Sequence, residues 1–139
     1  MTTEKTTNQQ LFPYHYIQAI LTLWAEQQTG PKRIGIRDLH EALWKLVGTW
    51  PEMFAGITFD CSGKHVISAE LEEVLSSLVA ASVLSMPVGG RLQCYEVERD
   101  AKASRDYFEK YGAEDDWSNV EQATKTFADM YKRWYTYKN

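Results

Sequence analysis

Residues 68–86, SAELEEVLSSLVAASVLSM, contain the clearest helix pattern in the chain. Apolar residues recur there at positions i, i+3, i+4, i+7 and i+8, which is the spacing of one buried helix face. These residues are Leu71, Val74, Leu75, Leu78 and Val79. Ser68 directly precedes the pattern and is a favoured N-cap residue. The segment therefore predicts a helix that begins after Ser68 and is a central element of the core.

A β-hairpin pattern follows this helix at once. Residues 83–86 and 92–97 have the composition of two short strands, and Gly89-Gly90 lies between them. Glycine readily supplies the positive φ that a tight hairpin turn requires. A helix followed by a hairpin is the arrangement of a winged-helix domain, so the two strands are predicted to form its wing.

Further helices are predicted on both sides. The first begins near Pro13 and stops at Gly30, and the second covers residues 37–47. After the hairpin, residues 101–111 are amphipathic, and an S-x-x-E capping pattern at Ser118 predicts the start of the last helix. The predicted fold is therefore mainly α (α+β), a winged-helix-like core with a short β-hairpin wing and two C-terminal helices.

Residues 48–68 separate the second and third helices by far more than a tight helix-turn-helix does. Long segments of this kind inside a domain are usually packed or functional. The apolar residues available for packing are Trp50, Met53, Phe54, Ile57 and Phe59. We expect a packed loop, with residues 57–59 as a candidate short strand.

The last helix has apolar residues at alternating spacings of three and four. They are Val120, Thr124, Phe127, Tyr131 and Trp134, with Thr124 the polar exception. Two heptads are short for a dimeric coiled coil. We expect this helix to pack across the winged core, within a single domain of residues 13–139 that follows a disordered tail of residues 1–12.

Composition predicts a soluble cytoplasmic protein. The 139 residues carry a net charge of −4 and the pI is about 5.4, so there is no general attraction to nucleic acid or anionic membranes. Cys61 and Cys94 form neither a CxxC pair nor a disulfide scaffold. Residues 1–10 lack the apolar region of a secretory signal, and no apolar run is long enough to span a bilayer.

The sequence predicts no catalytic, cofactor or metal site. His15, His40 and His65 are widely separated and form no H-x-x-x-H or H-E-x-x-H pattern. Cys61 and His65 are four residues apart, but a reactive thiolate–imidazole pair also needs an orienting group and a pocket. There is no P-loop, dinucleotide-binding fingerprint or nucleophile elbow. We therefore expect a protein that is not an enzyme.

The third helix carries three glutamates and no lysine or arginine. Glu70, Glu72 and Glu73 lie near its N-terminus, where the positive end of the helix dipole stabilises each by about 0.3–1 kcal/mol. A helix that enters the major groove must face phosphates and normally brings positive charge. The glutamates therefore favour a protein partner or a homo-oligomer over nucleic acid.

Two functions remain open at this point. The first is a regulatory or protein-interaction module, with a candidate partner interface formed by the aromatic residues Trp44, Trp50, Trp117, Trp134 and Tyr137. The alternative is a DNA-binding transcriptional regulator that uses its wing and basic loop residues, namely Lys32, Arg33, Arg37, Lys64 and Arg91. Residues 131–138, YKRWYTYK, also interleave cations with aromatic rings in a way that suits base stacking.

Over about residues 16–98 the chain resembles the Panacea-type winged-helix domains associated with antitoxin and phage or plasmid defence systems. The matching positions are Gly63, Ser68, Leu71, Leu75, Leu78, Val83-Leu84 and Tyr95-Glu96-Val97, with residues 34–46 resembling the first half of the family. The chain has Lys64-His65-Val66-Ile67 where the family commonly has Gly-Pro before the third helix. The resemblance implies a winged-helix fold and an antitoxin-like regulatory binding role without enzyme activity.

Overall fold

The computed structural model describes residues 11–30, 32–87 and 93–138, with side chains described as far as Tyr131. The described chain is mainly helical and has one small antiparallel sheet, as the sequence predicts. In chain order the elements are α1 (Pro13–Glu26), β1 (Arg33–Gly35), α2 (Ile36–Val47), a 3-10 helix (Pro51–Phe54), α3 (Ala69–Ala80), β2 (Leu84–Ser85), β3 (Cys94–Val97), α4 (Lys102–Tyr111) and α5 (Glu114–Lys138).

The sheet has the order β1-β3-β2, with both pairs antiparallel. Tyr95 in the central strand pairs with Ile34 of β1, and Val97 pairs with Leu84 of β2. The two predicted wing strands are therefore present, although each is shorter than expected. Arg91 and the predicted turn at Gly89-Gly90 lie outside the described residues.

The loop between α2 and α3 is packed, as expected. Met53 and Phe54 of the 3-10 helix are buried, and Trp50 packs against the same core. The candidate strand at residues 57–59 is absent. Asp60 and Ile67 instead form an isolated antiparallel bridge, in which each accepts the backbone N–H of the other.

α3 follows its predicted geometry. Leu71, Leu75 and Leu78 are fully buried, and the Ser68 Oγ accepts the Leu71 N–H at 3.1 Å as an N-cap. The helix ends at Ala80. Ser82 then takes a left-handed φ of 64°, which turns the chain into β2.

Two predicted helix ends are wrong. α1 ends at Glu26 rather than at Gly30, because the chain already turns at Gln27. α5 begins at Glu114 rather than at Ser118. Its first turn contains three consecutive acidic residues, and the Asp116 Oδ2 accepts the Ala113 N–H at 2.6 Å. Acidic side chains suit a helix N-terminus, so this run starts the helix before the S-x-x-E pattern is reached.

α5 packs against α1, α2 and α4, which confirms that the last helix belongs to the core. Phe127 meets the Trp24 ring edge-on with centroids 6.1 Å apart, and the Tyr131 hydroxyl donates to the Arg33 carbonyl at 2.7 Å. Val120 and Thr124 are buried on the same face, whereas the Trp134 side chain lies outside the described part of the structure. The long helix thereby ties α1 to the start of the sheet.

The predicted tail covers residues 1–12, of which residues 1–10 lie outside the described ranges. Phe12 is the N-cap of α1, and Leu11 packs partly against the core. The Phe12 N–H donates to the His15 Nδ1 at 2.9 Å, which closes the first turn of the helix. A second hydrogen bond from a backbone N–H to a histidine, from Ser68 to the His40 Nδ1, lies at the start of α3.

Candidate interaction surface

α3 presents an exposed stripe on the side opposite its buried leucines. We call this stripe the α3 face, and its members are Ala69, Glu72, Glu73, Ser76, Ser77 and Ala80. They follow the spacing i, i+3, i+4, i+7, i+8 and i+11, so one periodicity sets both faces of the helix. The charges of the α3 face are two carboxylates, and its other side chains are small.

The three glutamates of α3 have different roles. The Glu70 Oε1 accepts hydrogen bonds from the Thr58 N–H at 3.2 Å, the Thr58 hydroxyl at 3.0 Å and the Ser68 hydroxyl at 3.3 Å. Its own backbone N–H and the two Thr58 donors lower the pKa of Glu70. Glu70 therefore ties the preceding loop to the helix start, whereas Glu72 and Glu73 face solvent.

A buried histidine lies behind Glu72. His40 of α2 is 1% exposed, and its Nδ1 accepts the Ser68 N–H at 3.1 Å. Because Nδ1 uses its lone pair in this bond, the neutral ring carries its proton on Nε2. Nε2 lies 3.5 Å from the Glu72 Oε2 and has no hydrogen-bond partner among the described residues.

Burial keeps this imidazole neutral. Desolvation lowers the pKa of His40, and the nearby Glu72 carboxylate opposes that effect without reversing it. The Glu72 side chain is 59% exposed, so water screens much of its attraction. The pair is therefore a neutral donor facing a solvated carboxylate, not a buried ion pair.

The position of the ring proton also determines whether His40 can bind a metal ion through Nε2. A metal ligand needs a free lone pair on Nε2, but here Nε2 carries the proton. Across residues 11–30, 32–87 and 93–138, no group of three histidine, cysteine or acidic side chains is placed to hold a metal ion. His40 and Glu72 lie where α2 meets the start of α3.

Two exposed apolar residues lie on the chain segments that meet at this junction. Trp44 follows His40 by one turn of α2 and is 38% exposed. Ile67 directly precedes Ser68 and is 54% exposed. The His40–Ser68 hydrogen bond joins the two segments, with Trp44 one helical turn after His40 and Ile67 next to Ser68.

The other predicted aromatic anchors have different surroundings. Trp50 is half-buried against the core. Trp117 is half-buried at the start of α5, where it meets the Phe108 ring edge-on at 5.4 Å and lies 5.5 Å beneath the Arg105 guanidinium. It therefore joins α4 to α5. The Trp134 and Tyr137 side chains lie outside the described part of the structure.

The predicted basic residues are distributed over several elements. The exposed Arg33 of β1 pairs with Glu96 of β3 at 3.1 Å, and Lys32 beside it is half-buried. Arg37 and Lys64 are exposed, on α2 and on the loop before α3 respectively. The Arg33 guanidinium is paired with a carboxylate. Among the described basic residues of this set, Arg37 and Lys64 are therefore the exposed cations without such a partner.

Cys61 and His65, the candidate thiolate–imidazole pair in the sequence, are both exposed. Cys61 and His65 lie in the short excursion between Asp60 and Ile67. The Asp60 carboxylate accepts the Ser62 N–H at 2.9 Å and the Ser62 hydroxyl at 2.7 Å. The aspartate therefore shapes the turn, and water surrounds both candidate reactive groups.

A groove that sequence reasoning missed lies between α4 and the start of α5. It encloses about 450 Å³ and is lined by Arg105, Phe108, Glu109, Gly112, Ala113, Glu114 and Trp117. Arg105 is already occupied, since it lies over Trp117 and contacts Glu26 at 3.4 Å. The groove is therefore a seam between packed helices with acidic residues at its rim.

The chain matches no family model, no curated protein and no solved structure. None of the helices in the described ranges combines the length and apolar content needed to cross a membrane. The element order and the chemistry of the α3 face are therefore the features from which a function can be inferred.

Proposed function

We propose that this protein is a non-enzymatic interaction module built on a winged-helix scaffold, with the α3 face as its contact surface. The element order α1-β1-α2-α3-β2-β3 and the sheet order β1-β3-β2 support the scaffold. On that scaffold α3 is the helix that DNA readers insert into the major groove. The observation that carries the proposal is that this helix is open to solvent and its exposed charges are Glu72 and Glu73.

The charge of the α3 face favours a partner that carries basic groups. Two carboxylates at the centre of a contact would repel DNA phosphates, whereas they would attract lysine and arginine side chains. Ser76, Ser77 and Ala80 continue the face with small side chains that allow close approach. Trp44 and Ile67 add exposed apolar area of the kind that anchors protein interfaces. The Panacea-type resemblance implies a regulatory binding role of the same kind.

Charge reversal separates this proposal from the DNA-binding alternative. The native chain is expected to leave a short DNA duplex unshifted in an electrophoretic assay, even at low salt. Glu72→Lys combined with Glu73→Lys is expected to bind the duplex without sequence preference, because the groove-facing helix then carries two cations. Log affinity should fall with log salt by about 0.9 for each phosphate contacted.

A matched control is Glu109→Lys with Glu114→Lys, which changes the net charge equally at exposed positions on α4 and α5. This control is expected to bind the duplex much more weakly than the α3 variant. Salt-dependent DNA binding by the native chain would overturn the proposal. Equal binding by both variants would show that the α3 face has no special access to DNA.

A further inference from the structure

We propose that His40 is a pH-sensitive lock that holds the α3 face in place through Ser68, and that acidification opens it. This inference rests on the proposed function, because the lock regulates the surface assigned above as the contact site. It adds that a fall in pH changes the position and charge of that surface. The lock comprises His40 of α2, the Ser68 N-cap of α3 and Glu72.

Ser68 sets the position of the first turn of α3. It is buried, its hydroxyl oxygen accepts the Leu71 N–H at 3.1 Å, and its carbonyl accepts the Glu72 N–H at 3.1 Å. Its own N–H is the donor to the His40 Nδ1. A shift of Ser68 would therefore move the helix start and the Glu72 side chain with it.

Protonation is incompatible with the locked geometry. The lone pair that accepts a proton in the neutral ring is on Nδ1, the atom that accepts the Ser68 N–H. A proton taken from water at Nδ1 would place two N–H groups against each other and remove the hydrogen bond. The burial of His40 also disfavours the imidazolium. The locked state therefore exists with a neutral ring, and the charged ring belongs to the open state.

Glu72 stabilises the open state. Its Oε2 already lies 3.5 Å from Nε2, and its exposed side chain can follow the imidazolium toward water. An imidazolium paired with Glu72 removes one of the two negative charges of the α3 face. Acidification therefore weakens the attraction of this surface for a basic partner as well as loosening its start.

The other ionisable groups near the lock do not replace this effect. Glu70 is held by Thr58 and Ser68, so it stays at the helix start. Burial and the Glu72 charge raise the pKa of Tyr95 on β3, so that phenol stays neutral below pH 10. The ionisable groups at neighbouring chain positions are Arg37, Asp38 and Glu41 on α2, Glu73 on α3, and Lys64 and His65 on the loop. Asp38 is half-buried and the others are solvent-exposed.

The direction and size of the effect follow from proton linkage. The pKa of His40 is lowered in the folded chain, so its contribution to stability is complete above pH 6.5 and is lost as pH falls below that value. If the open state titrates at the ordinary histidine pKa of about 6.5 and the locked ring stays unprotonated, the ratio of open to locked chains rises as 1 + 10^(6.5 − pH), which is the upper limit of the effect. That ratio is about elevenfold higher at pH 5.5 than at high pH.

Amide hydrogen exchange on the native full-length chain tests the lock. Between pH 7.5 and 5.5, with intrinsic exchange rates corrected, protection of the Ser68, Leu71 and Glu72 amides is expected to fall about tenfold. Amides in the middle of α1 are expected to keep their protection, because the opening is local. The ring nitrogen shifts of His40, measured by NMR on the same native chain, should titrate together with the Ser68 amide.

The decisive variant is His40→Asn, because an asparagine Oδ1 can accept the Ser68 N–H but does not titrate in this range. It is expected to keep Ser68 protected at both pH values. His15→Asn is the matched control, since the His15 Nδ1 also accepts a backbone N–H, that of Phe12, at the start of α1. It should leave the pH effect at α3 intact.

Protection at Ser68 that does not change with pH in the native chain would overturn the lock. So would an unchanged pH effect in the His40→Asn variant. Neither result would touch the proposed function, which the DNA assay tests at neutral pH with the lock closed. DNA binding by the native chain at pH 7.5 would instead overturn the proposed function alone.

Discussion

Replacement of Phe127 by alanine is expected to lower the free energy of unfolding by about 3–5 kcal/mol. Phe127 is among the largest fully buried side chains of the described chain, and its ring packs against Trp24 of α1 and Tyr131 of α5. Its removal leaves a cavity where α5 joins α1, and these two helices cannot close the gap without moving the whole of α5. Urea denaturation followed by circular dichroism measures the change.

The control for this variant is Lys125→Ala, two residues earlier on the exposed side of α5. Its expected effect is within about 0.5 kcal/mol, as for other surface substitutions. A loss below about 1 kcal/mol for Phe127→Ala would mean that α5 contributes little to the core. In that case the C-terminal helix would be an appendage, and the single-domain account of residues 13–139 would fail.

Two glycines that follow helices are expected to respond to alanine in opposite directions. At Gly112, a Cβ would lie 2.8 Å from the Phe108 carbonyl oxygen and 3.1 Å from the Asp116 Oδ2. Gly112→Ala must therefore displace the backbone turn between α4 and α5, at a cost of about 1–3 kcal/mol. At Gly48, the nearest atom is the Lys45 oxygen at 3.8 Å, and the backbone is already helical.

Gly48→Ala is accordingly expected to stabilise the fold by about 0.4–1 kcal/mol, because alanine restricts the unfolded chain without straining the native one. Thermal unfolding of the two variants beside the native chain gives the comparison. Equal effects at both positions would contradict the close contact at Gly112. Destabilisation by Gly48→Ala would contradict the open surroundings assigned to the end of α2.

The α3 region was the most predictable part of the fold because its interactions are periodic. The spacing that buries Leu71, Leu75 and Leu78 also places Glu72 and Glu73 on the exposed side. Helix and hairpin patterns depend on neighbouring residues, so the sequence alone is sufficient to detect them. The sequence therefore predicts acidic residues on the exposed side of this helix, although the partner interface that it predicts consists of aromatic residues elsewhere in the chain.

Elements that depend on distant partners were not predicted. β1 is three residues long and exists because Ile34 pairs with Tyr95, far along the chain. Its composition alone does not distinguish it from a loop. The start of α5 was misplaced for a related reason, since the local S-x-x-E pattern competes with the Asp116 bond to the Ala113 N–H. Local sequence patterns alone do not show whether residues 33–35 form a strand or at which residue α5 begins.

The different roles of the three glutamates of α3 could be assigned only from the structure. Glu70 is held by Thr58, twelve residues earlier, and His40 reaches Ser68 over twenty-eight residues. One weak indication was present, because His40 lies four residues after Ile36 and three before Leu43, on the apolar side of α2. A histidine at such a position is expected to be buried, but the sequence does not identify its hydrogen-bond partner.

Site-specific photocrosslinking shows whether the α3 face contacts a protein partner. A photoreactive side chain placed at Ser76, in the middle of the α3 face, is expected to form protein adducts in the cells that naturally produce this protein. The same group at Lys125, on the exposed side of α5, is the control and is expected to form few. Adding Glu72→Lys and Glu73→Lys should abolish the Ser76 adduct. Nucleic-acid adducts at Ser76, or no protein adduct there under conditions where Lys125 reacts, would mean that the α3 face is not a protein-contact surface.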